Sequence, residues 1–365
     1  MTSPLRLSPN RLLTVRADAS ATIGTGHLLR VLALAEAWIN AGGRAACLVA
    51  EAPEALTDRL IAAGIEVRQV PATHPDQSDA AAARAAAADP EARVALDVPW
   101  ADTSYLGALG DVRQRVMVID DMAMLPRYPV GIVLNQNAHA DRATYPAASD
   151  GTRYLLGLRY AMLRPEFWVE PPARTIPVRA RRLLVTFGGA DPLGLTLRTV
   201  AALDRLPAAT RQDLAVRVIV GAANPAARTI EAAVQASRID ATFECAVDDM
   251  PSHMAWADLA VVSGGTTVWE LARVGCPALV VESGPSEAFL VRGLERVGLF
   301  DRLGTAAELD DEALTAVIAQ RLDDVEWRAR MAHLGPRLVD GGGAHRVVDE
   351  LARTEEVPER IHNGG

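Results

Sequence analysis

Along two separate lengths of this chain, short β-branched or apolar runs alternate with Ala- and Leu-rich helical stretches, and a proline-rich break divides the two series. The first series runs "LLTVRAD", "HLLRVLALAEAWINAG", "RAACLVA", "EALTDRLIAAG" and "EVRQV", then continues through "ARVALDVPW", "RVMVIDDMA" and "GIVLNQNA". Strand-length runs followed by helices that end near glycine imply parallel strands joined by crossover helices. The Ala-dense stretch from Asp79 to Asp89 reads as a surface helix stopped at or before Pro90. The break, "EFWVEPPARTIPVRARR", holds Pro171, Pro172 and Pro177 among charges and has no hydrophobic period. The rhythm then restarts with "RLLVTFGGADPLGLTLRTVAAL" and "LAVRVIVGAANP", and passes through "ATFECAV", "MPSHMAWADLAVVSGGTTVWELARVG" and "PALVVES" to the final helices.

At 365 residues, half of them hydrophobic (50%), the chain is too long for one core and fits two. The expected architecture is α/β, with two doubly wound Rossmann-type domains. One covers 1–170 and the other 181–353; 171–180 is a linker and 354–365 a frayed tail. Two such sheets leave a cleft between their carboxyl ends, where ligands bind in folds of this kind.

Composition narrows the partners. The formal charge is −9, and basic residues are scattered rather than blocked, so no nucleic-acid footprint is present. A phosphate-bearing ligand has to be held locally, by backbone N–H groups and a few arginines. The opening "MTSPLRLSPNRLLTV" lacks the apolar region of a signal peptide, and no run is long enough to cross a bilayer, so no membrane partner and a cytoplasmic location are expected. Cys47, Cys245 and Cys276 sit in apolar contexts without metal spacing, and read as reduced core residues. Neither a metal nor a cofactor is expected.

Three segments carry chemistry. In "RADASATIGTGHLLR", Gly24, Thr25 and Gly26 let the backbone turn tightly into a helix whose first turn holds His27. The positive end of the helix dipole favours a neutral imidazole, able to accept a proton from water; the same position equally suits a histidine that only begins a helix. "GTGH" is no dinucleotide fingerprint, since Leu29 stands where a third glycine is needed. In "VTFGGADP", Gly188 and Gly189 offer amides to a phosphate and Asp191 a cap, and no Walker lysine follows. In "VVSGGTTVWELA", Ser263, Gly264 and Gly265 end a strand, while Thr266 and Thr267 open a helix suited to a diphosphate. Glu270, one turn on, is placed for ribose hydroxyls or as a first-turn acid. The adjacent Asp120 and Asp121 of "VIDD" read as a turn or cap, and no "GxSxG" elbow is present.

Taken in order, "RADAS..IGTGHLLR.LALA", "VIDD", "VLNQNA", "LLGLRYAMLRPEF", "VTFGGADP", "SGGTTVWELA" and "DGGGAHRVV" resemble the UDP-sugar hydrolases of pseudaminic-acid biosynthesis and the related spore-coat polysaccharide proteins, from about Leu12 to Leu351. The resemblance implies a GT-B-like architecture and hydrolysis, without a metal, of UDP-2,4-diacetamido-2,4,6-trideoxy-β-L-altropyranose to UDP and free sugar. It makes His27 the catalytic residue and Glu270 the acid of the nucleotide-binding helix, with Gly188, Gly189, Ser263, Gly264, Gly265, Thr266 and Thr267 beside it. Asp18, Gly26, Arg30 and Arg164 fall on the sugar side. Departures from the pattern are Pro99 and Trp100 after Asp97, Gly194 where asparagine is usual, and Ser286 and Glu287 where an Asn-Gln pair is usual. They sit where the sugar and nucleotide are recognised. A glycosyltransferase using the same cleft and a non-catalytic nucleotide-sugar binding protein remain open as alternatives.

Overall fold

The computed structural model describes residues 5–20, 23–71, 77–146, 151–222 and 224–353; the expected tail 354–365 lies outside the described residues. The first sheet is built from β1 (Leu12–Ala17), β2 (Arg44–Val49), β3 (Glu66–Gln69), β4 (Arg93–Asp97), β5 (Val116–Ile119), β6 (Ile132–Asn135) and β7 (Arg153–Leu156). Helices α1 (Gly26–Asn40), α2 (Glu54–Ala62), α3 (Gln77–Ala86) and α4 (Thr103–Ala108) lie between them. The second sheet comprises β8 (Arg182–Thr186), β9 (Ala215–Val220), β10 (Asp240–Cys245), β11 (Leu259–Ser263), β12 (Ala278–Glu282) and β13 (Asp301–Thr305). Its helices are α5 (Leu195–Asp204), α6 (Ala208–Gln212), α7 (Ala227–Ala236), α8 (Met250–Trp256), α9 (Thr267–Arg273), α10 (Pro285–Arg296), α11 (Asp311–Asp323) and α12 (Val325–Leu338), followed by α13 (Gly343–Ala352).

The strand orders are β3-β2-β1-β4-β5-β6-β7 and β10-β9-β8-β11-β12-β13. Every pairing is parallel, as one-way crossovers require. Central strands such as "LAVVS" and "ALVVE" are apolar over their first four residues because helices cover both faces of the sheet. The order reverses between β1 and β4 in one sheet and between β8 and β11 in the other, and in open sheets of this kind a crevice forms at such switch points.

Two expectations need correction. The span 181–353 does not stay with the second sheet. Ala344, Val347, Val348 and Leu351 of α13 pack into the core of the first sheet with Leu13, Val15, Leu32 and Trp38. The carbonyls that end α13 have no partners within the helix. Arg11 donates to Ala352 O at 3.0 Å and Arg93 to Leu351 O at 2.8 Å, which ties the helix to the first lobe. The crossing is so close that a side chain at Gly343 collides with the carbonyl of Ala161. Cys245, in turn, is exposed rather than buried, because it ends the edge strand β10.

The proline-rich connector is laid against the second lobe: Arg174 donates to Met254 O at 2.9 Å, and Arg328 to Pro177 O at 3.0 Å and Val178 O at 2.9 Å. No helix among the described residues is long and apolar enough to cross a membrane.

Candidate functional site

A cleft runs between the lobes, at the carboxyl ends of both sheets. Thr25, Leu29, Arg30, Met162, Leu163 and Arg164 wall one side. Thr186, Gly188, Gly189, Gly221, Ala246, Thr266, Thr267 and Glu270 wall the other.

On the first lobe, α1 starts within the loop that follows β1. A Cβ at Gly26 meets nothing within 4 Å, so the backbone there faces open space. His27 is flanked by wall residues without being one itself. Its Nδ1 lies 2.8 Å from Asp97 Oδ1, and its side chain is 25% exposed. Arg30 Nη2 also lies 3.3 Å from Nδ1, and in the tautomer that donates Nδ1–H to the carboxylate, Nε2 is the nitrogen that can accept a proton. Asp97 ends β4, next to β1 at the switch point, and is 1% exposed. Arg30, one helical turn after His27, grips the same carboxylate with both prongs, Nε to Oδ2 at 2.5 Å and Nη2 to Oδ1 at 2.6 Å. Its remaining arm reaches Asp121 Oδ2 at 2.7 Å, and Asn137 donates to Asp121 Oδ1 at 2.7 Å.

The sequence reading missed this network's centre. Asp97 lies 70 residues from His27, beyond any local spacing rule. Its place at a strand's carboxyl end was the available signal. Asp121, expected in a turn, belongs to the network; Asp120 makes the turn, accepting the N–H of Met122 at 2.8 Å.

Burial alone raises the Asp97 carboxyl, yet the Arg30 guanidinium and His27 bring it down to about 2. A carboxylate depressed in the folded state stabilises the fold fully above its ordinary value, and that stability is lost as the pH falls towards the folded value. The stability gap between the wild type and Asp97→Asn should therefore narrow as the pH is lowered from about 5 towards 3, measured by urea unfolding. A gap independent of pH would mean that Asp97 is not held ionised.

Asp18 is placed differently from its neighbours. Its carboxylate accepts Arg16 Nη1 at 2.6 Å and the N–H of Ala50 at 2.7 Å, and it does not wall the cleft. It anchors the loop after β1 to the end of β2.

On the second lobe, Gly188 adopts φ +74°, and a Cβ at Gly188 or Gly189 meets nothing within 4 Å. Asp191 caps α5, accepting the N–H groups of Leu195 and Thr196, each at 2.9 Å, and Gly194 takes φ +64° at the cap. Gly221, which sequence reasoning did not single out, closes β9 directly beneath this turn: a Cβ there lies 2.6 Å from Gly189 O and 2.8 Å from Gly188 O. Thr266 and Thr267 begin α9 and wall the cleft, while Ser263 ends β11 and Gly265 lies in the turn between strand and helix. Gly264 is not free for a ligand, because its N–H donates to Glu287 Oε2 at 3.2 Å. The side chain of Ser286 lies outside the described residues. Pro99 is exposed, and Trp100 stacks edge-on against Tyr105 with centroids 5.1 Å apart.

Across the cleft, Arg164 Nε donates to Glu270 Oε1 at 2.7 Å. Burial pushes the Glu270 carboxyl above its ordinary range even though Arg164 opposes the shift. Among the described residues, no group of three or more His, Cys, Asp or Glu side chains is placed to hold a metal ion.

Comparisons with known proteins bear on both lobes. Residues 183–287 match the Glycosyltransferase family 28 C-terminal domain, a stretch that includes the glycine turn, the start of α9 and Glu287. The chain is 29% identical over 201 residues to the spore coat polysaccharide biosynthesis protein SpsG of Bacillus subtilis, covering 54% of this chain and 57% of that protein. It is also 29% identical over 283 residues, 69% of this chain and 77% of the other, to the UDP-N-acetylglucosamine--N-acetylmuramyl-(pentapeptide) pyrophosphoryl-undecaprenol N-acetylglucosamine transferase of Acidithiobacillus ferrooxidans. Among solved structures, MurG of Acinetobacter baumannii superposes with a TM-score of 0.67 at 16% identity, covering 95% of this chain and all of that one (100%). The calicheamicin glycosyltransferase CalG4 gives 0.59 at 16% identity, over 94% and 97%. The fold is GT-B.

Proposed function

We propose that this chain breaks the anomeric C–O bond of a UDP-sugar, with His27 as general base and the second lobe as the nucleotide holder. The observation that carries this reading is that the flanks of a His–Asp dyad and two glycine-rich strand ends wall one cleft from opposite lobes. The glycine turn at 188–189 and the start of α9 meet the diphosphate with backbone donors, and Glu270 takes the ribose hydroxyls. An acceptor hydroxyl gives its proton to His27 Nε2 as its oxygen bonds to C1. The C1–O bond breaks, and the electron pair stays on the terminal phosphate of UDP. Asp97 orients the ring and balances the charge it gains. Developing charge on the diphosphate is met by donors already in place.

The family 28 match and the transferase relatives support a glycosyltransferase with a hydroxyl acceptor. The N-terminal "IGTGHLLR" signature supports the second reading, in which water is the acceptor and UDP-2,4-diacetamido-2,4,6-trideoxy-β-L-altropyranose the substrate. Incubation with candidate UDP-sugars, with and without acceptor and EDTA, separates the two. UDP release without acceptor supports hydrolysis, and acceptor dependence supports transfer. Binding without turnover sinks both readings in favour of a non-catalytic binder.

A further result is expected at Gly221. A methyl group there pushes the 188–189 turn towards the cleft, since backbone atoms on that side leave no side chain to yield. Overpacking of this kind costs ~1–3 kcal/mol of folding stability, and because the displaced atoms are those of the 188–189 turn, Gly221→Ala should also weaken UDP binding. Calorimetric titration checks this, and unchanged affinity would remove the turn from the nucleotide site.

A further inference from the structure

We propose that Glu287 tunes the charge of the nucleotide the second lobe retains, disfavouring free UDP relative to a UDP-sugar and so speeding product release; this rests on the nucleotide-sugar reading above. Glu287 lies in the first turn of α10, just after β12. Its Oε2 accepts the N–H of Ser283 at 2.8 Å and that of Gly264 at 3.2 Å. Those amides follow the adjacent strands β12 and β11, so one carboxylate spans two strand ends beside the switch point. The Gly264 backbone is closely hemmed in, because a Cβ there collides with Val291 and lies 3.2 Å from Glu287 Oε2. A fixed anion therefore occupies a backbone donor in the same turn that leads into Thr266 and Thr267 on the cleft wall. Among the described residues no basic side chain forms an ion pair with Glu287, whereas the neighbouring Glu282 is paired with Arg302 at 2.6 Å.

The consequence follows from charge alone. The diphosphate of a UDP-sugar is a diester with two negative charges. When C1–O breaks, the terminal phosphate keeps the electron pair, and above a pH of about 6 it carries a third charge. Repulsion from a fixed carboxylate scales with that charge, and is greatest for the product.

The test is calorimetric titration of UDP and of UDP-N-acetylglucosamine against the full chain and its Glu287→Gln and Glu287→Ala variants at pH 8. Each substitution should tighten UDP about 10-fold and UDP-N-acetylglucosamine about 5-fold, as a repulsion proportional to three charges against two requires. The wild type gives a second measurement free of any folding defect: its preference for the sugar nucleotide over UDP should rise from pH 5 to pH 8. Equal tightening of both ligands, unchanged UDP affinity, or a pH-independent preference overturns the proposal. Failure of the wild type to bind either nucleotide overturns the nucleotide-sugar reading itself, and this inference with it.

Discussion

His27→Ala should lower turnover by about 10²–10⁴-fold, the range ascribed to a positioned general base, while the Kd for UDP stays within about 2-fold of wild type. The split follows from the geometry. The imidazole is bonded to Asp97 on its own lobe and walls no part of the nucleotide half of the cleft, so removing it leaves the glycine turn and the start of α9 unaltered. Glu270→Ala should show the opposite pattern, because Glu270 stands on the nucleotide side. Steady-state rates on a UDP-sugar, set beside calorimetric UDP affinities for both variants, give the comparison. If His27→Ala loses affinity and keeps turnover, the roles assigned to the two lobes are wrong.

Arg30→Met should cost about 3–5 kcal/mol of folding stability, the range for removing one partner from a buried ion pair. The loss centres on Asp97, at 1% exposure, because Asp121 is 30% exposed and solvent can rehydrate it. Burial alone would make Arg30 easier to deprotonate, but Asp121 and Asp97 together hold it charged above its ordinary value, so the pair that the substitution breaks is an ionic one. Adding Asp97→Asn to Arg30→Met should recover part of the loss, since no buried charge is then left without a partner. Urea denaturation of the two variants and the wild type measures this. A double variant no more stable than Arg30→Met alone would show that the network matters through its shape rather than its charge.

Much of the architecture was readable from local pattern. Runs such as "LAVV" in β11 do not alternate with polar residues because both faces of a parallel sheet are covered, and the glycines after β8 and β11 mark turns where the chain leaves the sheet. The placement of His27 at a helix start and of Thr266 and Thr267 at another came from the same local grammar. What escaped depends on pairs far apart in the chain. Asp97 meets His27 only because β4 pairs with β1, and Gly221 matters only because β9 ends beneath the turn after β8. The seating of Glu287 on two strand-end amides reverses a simple reading of that turn as an empty anion site, and no spacing in the sequence announces it.

The return of α13 to the first sheet has a consequence for synthesis on the ribosome. The lobe that begins at β1 keeps an open hydrophobic flank until residues 343–352 leave the exit tunnel, whereas β8 to α12 form one uninterrupted length of chain. The earlier-made lobe is thus the later one to be finished, since the hydrophobic cluster that holds Leu13 and Trp38 is incomplete until α13 joins it.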